Sequence, residues 1–211
     1  MQVQDKLGSK FKSSLIPNEY ESLDYIQKDK FDNSYLDTGY IASSSTKVKI
    51  DFEVLEFHSS LRWVAVFGYY SNTIKDFFCS ISSVSAGRSV NSRIGLTPLN
   101  SVEKALEHKR YLVTFDRFCI NVNGTQEAFS EPAQIDKSEK LYLFSMNSSV
   151  SGFNLENSFR HRVYSCKFYE NNSLTMDLLP AKRKSDSALG MFDLMSGKFL
   201  LVSEQSSFIG K

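Results

Sequence analysis

The chain has 211 residues, 41% of them hydrophobic, and a formal net charge of +1. That length fits one all-β domain, and that apolar content can build a core without disulfide or metal staples. The near-neutral balance gives no global pull toward nucleic acid or an anionic membrane surface, and no stretch approaches the roughly 20 apolar residues of a membrane span.

Residues 1–15 are polar and basic, with Lys6, Lys10 and Lys12, and read as an arm outside the fold. Two readings stay open: a disordered terminus, or an anchoring peptide that orders on a partner through Phe11, Leu15 and Ile16. Met1-Gln2-Val3-Gln4-Asp5-Lys6 lacks a signal-peptide apolar core, so the chain is expected to reach a surface only within an assembly or after cell lysis.

From Tyr20 onward the hydrophobic period is two. Val48, Ile50, Phe52 and Val54 alternate with Lys47, Lys49, Asp51 and Glu53, which predicts a strand with one buried and one wet face. Leu61–Gly68 is more continuously apolar and predicts a central strand, with Trp63 packed in the core or sheet. Asp76–Val84 and Ser92–Leu96 predict two more. Ser101–His108 is the one segment read as a short helical turn. Tyr111–Phe115 and Phe118–Val122 flank an Asp116-Arg117 turn. Asn123-Gly124 then predicts a tight hairpin into Gln126–Phe129, because both residues tolerate positive φ. Leu141–Met146 and Arg162–Tyr169 complete a pattern of roughly ten to thirteen strands, which means a sandwich or barrel. Ser43-Ser44-Ser45 and Asn147-Ser148-Ser149 read as loops.

Two sets of segments carry a family resemblance. One is Ile16-Pro17-Asn18-Glu19-Tyr20 through Tyr35-Leu36-Asp37-Thr38-Gly39-Tyr40 into Thr46–Phe52. The other is Arg162–Tyr169, Asp177-Leu178-Leu179-Pro180, Arg183-Lys184-Ser185-Asp186, Gly190-Met191-Phe192-Asp193, Gly197-Lys198-Phe199 and Phe208-Ile209-Gly210. Together they resemble the concanavalin A-like lectin/glucanase family, in the laminin-G-like branch found on surface proteins of gut bacteria and on their phages. The resemblance implies an all-β, concanavalin A-like jelly-roll sandwich of two antiparallel sheets over 16–211. It implies edge strands within Tyr20–Tyr40, and a C-terminal turn and strand packed beside the N-terminal strands. Gly190 and Gly197 are read as punctuating two short hairpin strands. The family's glycine-rich ending is replaced by Val202–Phe208, so a looser or longer last hairpin is expected. The functional expectation is a non-catalytic binding or structural module, a phage virion or assembly-anchored surface protein. The alternative is a stand-alone carbohydrate-binding lectin domain. The expected partners are other virion or surface-assembly proteins and glycans.

Glucanases of this fold place nucleophile and acid carboxylates on one strand face, and retaining enzymes need them about 5–5.5 Å apart. The nearest analogue is Lys49-Ile50-Asp51-Phe52-Glu53, where lysine stands in the nucleophile's place, so no catalytic residue is assigned. Cys79, Cys119 and Cys166 are read as buried free thiols, with one disulfide plus a spare thiol as the alternative. His58, His108 and His161 are scattered, and no metal site is assigned. Calcium on the loop oxygens of Asp32, Asn33 and Asp37 is weighed against an ordinary turn. A sugar site needs an aromatic platform with polar neighbours. Tyr69, Tyr70, Asn72, Arg88, Asn91 and Arg93 are the candidates. Lys182-Arg183-Lys184 reads as a solvated turn. The glycosylation-type triplets at Asn123, Asn147 and Asn171 are read as chance.

Overall fold

The structure, a computed structural model, describes residues 15–57, 63–84, 87–150 and 159–211. Phe11 and His58 lie outside the described residues, as does the packing of the Trp63 side chain. In chain order the strands are β1 (Tyr20–Ser22), β2 (Ile26–Lys28), β3 (Leu36–Ile41), β4 (Thr46–Glu56), β5 (Trp63–Tyr70) and β6 (Phe77–Val84). Then come β7 (Gly87–Ile94), β8 (Thr97–Lys104), β9 (Lys109–Phe115), β10 (Cys119–Val122), β11 (Thr125–Ala128) and β12 (Lys140–Leu143). The last are β13 (Asn147–Ser148), β14 (Arg160–Glu170), β15 (Ser173–Arg183), β16 (Leu189–Asp193), β17 (Lys198–Leu201) and β18 (Phe208–Gly210). Among the described residues the only helical element is a single 3-10 turn, Gln205–Ser207.

The strands form two sheets, almost wholly antiparallel. The larger has the order β11-β10-β9-β4-β14-β15-β16-β17, with β1 on β15 and β2 between β14 and β18. The smaller runs β3-β12-β5-β6-β7-β8, with β13 parallel to β5. This is the all-β jelly-roll sandwich expected from the sequence. The alternation on β4 sends Val48, Ile50, Phe52 and Val54 into the core and turns Lys47, Lys49, Asp51 and Glu53 outward. Val66, Val113, Phe115, Ile120, Val122, Cys166 and Phe168 are fully buried with them. Each such side chain contributes about 1.5–3 kcal/mol by leaving water. Phe67 of the small sheet meets Phe115 of the large one at 5.5 Å, so ring contacts knit the two sheets together.

Several local expectations need correction. Ser101–His108 is not helical: β8 continues to Lys104 because its backbone pairs with β7, and sheet pairing overrides weak local propensity. The strand expected at Ser92–Leu96 starts earlier, at Gly87, and ends at Ile94. Of the N-terminal strands expected at an edge, β2 is interior, paired on both sides. Gly190 lies inside β16 and makes no turn. A Cβ there would meet the Leu200 carbonyl and, at 2.8 Å, the Phe199 ring, so the close approach of β17 needs glycine. The Asn123-Gly124 hairpin is as expected, with φ of 52° and 95°. All three cysteines are free, and Cys119 is half-buried rather than buried.

Ile16 also needs correction. It is 6% exposed and packs with Leu179, Ala181 and Phe192 on the outer face of the large sheet. Tyr20 extends this cluster, its ring 5.1 Å from Phe192 and 4.8 Å from Phe199. Ile16 therefore serves the chain's own packing and is not offered to a partner. Leu15 is 57% exposed.

Two ionisable side chains are buried side by side, Lys28 and His161, paired across β2 and β14. The Lys28 ammonium donates to the carbonyls of Asp32 (2.7 Å), Ser34 (2.7 Å) and Phe144 (3.2 Å), with Asp32 Oδ1 at 3.7 Å. Burial pulls its pKa down to about 8, with Asp32 opposing. Burial likewise drives His161 down to about 3, although its Nδ1 meets the Phe159 carbonyl at 2.9 Å. His161 therefore stays neutral, and acid is resisted only until the unfolded chain's histidine protonates.

For Lys28 the folded pKa lies below the unfolded value of 10.5. Between about 8 and 10.5 the unfolded chain binds more protons, so stability rises with pH in that window. Denaturant melts at pH 7.5 and 10 are expected to show wild type gaining more stability than Lys28→Met. An equal change in both would contradict the lowering of the Lys28 pKa by burial.

Candidate functional site

β9, β4 and β14 are neighbours, so the turns at one end of them meet. They are the 42–45 loop before β4, the Asp116–Phe118 turn after β9 and the Asn171-Asn172 turn after β14. Each turn has a local cause. Thr46 Oγ1 accepts from Ser43 N at 2.8 Å. Asp116 Oδ1 accepts from the amides of Phe118 (2.8 Å) and Cys119 (3.3 Å), which closes an Asx turn. Asn171 and Asn172 sit at φ of 49° and 63°, the left-handed region that asparagine tolerates. Between the turns lies a hollow of about 400 Å³, lined by Ser44 to Lys47, Asp116 to Phe118, and Asn171 and Asn172.

Glu170 braces this hollow from beneath, opposite Thr46 in the β4–β14 register. Its carboxylate accepts from Thr46 Oγ1 (2.8 Å), Tyr40 Oη (3.1 Å), Ser43 Oγ (2.5 Å) and Ser45 Oγ. Burial works to raise the Glu170 pKa, but these hydroxyl donors outweigh it and hold it below the usual carboxylate range. Of these hydroxyls Ser45 and Thr46 line the hollow, and both are fixed in direction before any ligand arrives. Lys47 Nζ donates to Asn172 Oδ1 at 2.8 Å and lies 5.2 Å from the Tyr169 ring centre. At the mouth Phe118 is 51% exposed, with the Arg117 guanidinium 4.7 Å from its ring centre. Among the described residues, the Ser44 hydroxyl and the Asn171 amide side chain make no hydrogen bond. The hollow thus combines oriented donors and acceptors with one exposed ring.

The residues singled out in the sequence are only partly brought together. Tyr70, Asn72 and Arg93 do gather at the β5–β6 loop. Arg93 lies 5.6 Å from the Tyr70 ring centre and donates to Asn72 Oδ1 at 3.1 Å. They surround a buried carboxylate, Asp76, whose Oδ1 accepts from Ser71 N (2.7 Å), Ser71 Oγ (3.0 Å) and Thr73 N (3.3 Å). Arg93 Nε aims its proton at the Gly95 carbonyl (3.2 Å), so its 3.1 Å approach to Asp76 Oδ2 is a charge contact rather than an aligned hydrogen bond. This cluster braces a loop, and its arginine is occupied.

Tyr69, Asn91 and Arg88 do not join it. The period of two turns Tyr69 inward, buried, with its hydroxyl on Ser149 Oγ at 2.9 Å. Asn91 is buried and accepts from Ser80 Oγ. Arg88 lies five positions before Arg93 along β7, about 16 Å at strand rise, with its guanidinium 4.1 Å from the Phe57 ring centre.

Two of the three candidate calcium donors, Asp32 and Asp37, are engaged elsewhere. Asp32 turns onto Lys28, Ser34 and Ser207. Asp37 accepts from Gly39 N at 2.8 Å and pairs with Lys140. Among the described residues no cluster of three or more His, Cys, Asp or Glu is placed to hold a metal. Lys182, Arg183 and Lys184 are engaged by Glu21, Asp186 and the Asn18 carbonyl. Asp51 is held bidentate by Arg110 (2.7 and 2.8 Å), and Glu53 by Arg162 (3.1 Å) and Tyr164 (2.6 Å), all on the open outer face of the large sheet.

The class that the fold defines is an all-β sandwich of two antiparallel sheets. No protein-family model matches the chain, and no curated protein matches it. Solved structures show distant likenesses. A mutant of Trypanosoma rangeli sialidase displaying trans-sialidase activity is 15% identical at TM-score 0.39, over 65% of this chain but only 21% of that one. The carbohydrate recognition domain of Emp47p is 9% identical at TM-score 0.38, over 73% of this chain and 89% of that one. A variant of human galectin-16 is 11% identical at TM-score 0.27, over 71% and 99%. Likenesses this distant carry no inference about ligand or activity.

Removing one partner of a buried charge strands the other. Arg93→Ala is expected to cost about 3 kcal/mol in denaturant unfolding through Asp76. A cost under about 0.5 kcal/mol would mean that the arginine is not a brace.

Proposed function

We propose that the chain is a non-catalytic, lectin-like binding module that takes a glycan in the hollow between the three turns. The observation that carries this reading is the pairing of a pre-oriented hydroxyl and amide wall with the exposed Phe118 ring. Sugar hydroxyls need side chains that donate and accept, and sugar C–H faces stack on rings. Hydroxyls locked by Glu170 lose little freedom on binding, which favours affinity.

A non-catalytic role is supported by the state of the acidic residues. Asp51 and Glu53 are tied to arginines on an open face, Asp116 caps its own turn, and Glu170 is engaged by four hydroxyls. The Tyr164 hydroxyl beside Glu53 is pushed up to about 12, by burial first and then by that carboxylate, so it stays neutral and is a poor nucleophile. The setting we propose for the module is a surface or virion assembly. The family resemblance supports it, together with the exposed Leu15 next to the packed Ile16.

A glycan array probed with the full chain, followed by calorimetry on the strongest ligand, tests the reading. Binding is expected without any change to the glycan over long incubation, and Phe118→Ala is expected to weaken it about tenfold, about 1.4 kcal/mol. Undiminished binding by Phe118→Ala, or turnover of the glycan, would overturn it.

A further inference from the structure

A second hollow lies beyond Glu170 on the far side of Tyr40. It measures about 550 Å³ and opens between β3 and the β15–β17 end of the large sheet. Tyr40, Ile41, Met176 and Leu200 supply apolar surface, and Ser196 and Lys198 supply polar groups at the rim. Ile41 is 49% exposed although it is a large aliphatic side chain on an edge strand. Tyr40 is held in place from behind, its ring stacked on Phe168 at 4.4 Å.

The two hollows share a wall built of Thr46, Glu170 and Tyr40. Glu170 Oε2 accepts at 2.8 Å from Thr46 Oγ1, which lines the first hollow. The same oxygen accepts at 3.1 Å from Tyr40 Oη, which lines the second. One half-buried group therefore holds a side chain of each. Such a shared wall serves no purpose for a terminal single sugar, which one hollow of this size holds. It suits a chain whose successive residues drop into successive hollows.

The geometry points to an extended oligosaccharide or polysaccharide segment as the ligand, with one part in the polar hollow under Phe118 and the next against Tyr40 and Ile41. This rests on the glycan reading above and specifies its ligand as a chain rather than a chain end. Two linked contacts bind as one ligand, so the second is made at high effective concentration and affinity climbs with length until both hollows are filled.

The test is calorimetry of the full chain with mono- to hexasaccharides of cello-, manno- and galacto-series sugars. Wild type is expected to bind the tetrasaccharide at least about tenfold more tightly than the monosaccharide of the same series. Ile41→Ser is expected to bring that ratio toward one, and the exposed Lys198→Ala gives a second reading should Ile41→Ser fail to fold. A ratio near one in wild type overturns the inference and leaves the glycan reading standing. A wild-type ratio unchanged in the folded second-hollow variants also overturns it. If wild type binds no member of any series, neither this inference nor the glycan reading for these sugars survives.

Discussion

The antiparallel pairing of β4 with β14 holds the rest of the molecule in place. Both strands are eleven residues long, and their register runs from Arg160 opposite Glu56 to Glu170 opposite Thr46. Its inner face carries Val48, Ile50, Phe52, Val54, Val163, Cys166 and Phe168, on which the small sheet packs. Its outer face carries Asp51, Glu53, Arg162 and Tyr164, a ladder joined by Arg110 of β9 in which every charge has an opposite neighbour. A slip of one residue would reverse both faces at once. The last step of the register also sets Glu170 beneath the 42–45 loop, so one pairing builds the core and the floor of the polar hollow.

The strands of this pair were the most legible part of the sequence. The alternation in Lys47–Val54 left no other way to bury four apolar side chains on one face. The Asn123-Gly124 hairpin was legible for an equally local reason, since two positive φ values in a row suit few other pairs. Legibility failed where tertiary pairing decided the outcome. Ser101–Lys104 has no strong local preference and became strand because β7 offered it a partner. Nothing in Tyr25-Ile26-Gln27-Lys28 marks Lys28 for burial, which depends on carbonyls from Asp32, Ser34 and the distant Phe144.

The site was less legible than the fold. Tyr70, Asn72 and Arg93 do lie together, but what they surround is Asp76, a carboxylate braced by Arg93. Tyr69 was lost to the period of two, which sends adjacent side chains to opposite faces, and Asn91, though on the same face as Arg93, is taken up by Ser80. The polar hollow draws on residues near positions 45, 117 and 171, of which the first two stretches read alone as a loop and a turn. The faint signals were an aromatic residue, Phe118, just after a turn where water would favour a polar one, and the Asn171-Asn172 pair, read only as part of a chance glycosylation triplet. Nothing local shows that the turns meet. Only the β9-β4-β14 order brings them together.

The proposed function stands on where a glycan makes contact. Amide chemical-shift mapping of the full chain during titration with a bound oligosaccharide reads this directly. The account predicts that the largest perturbations fall on residues 44–47, 116–118 and 171–172. Perturbations confined to residues 69–76 and 91–95, or to the outer ladder around 110 and 162, would contradict it.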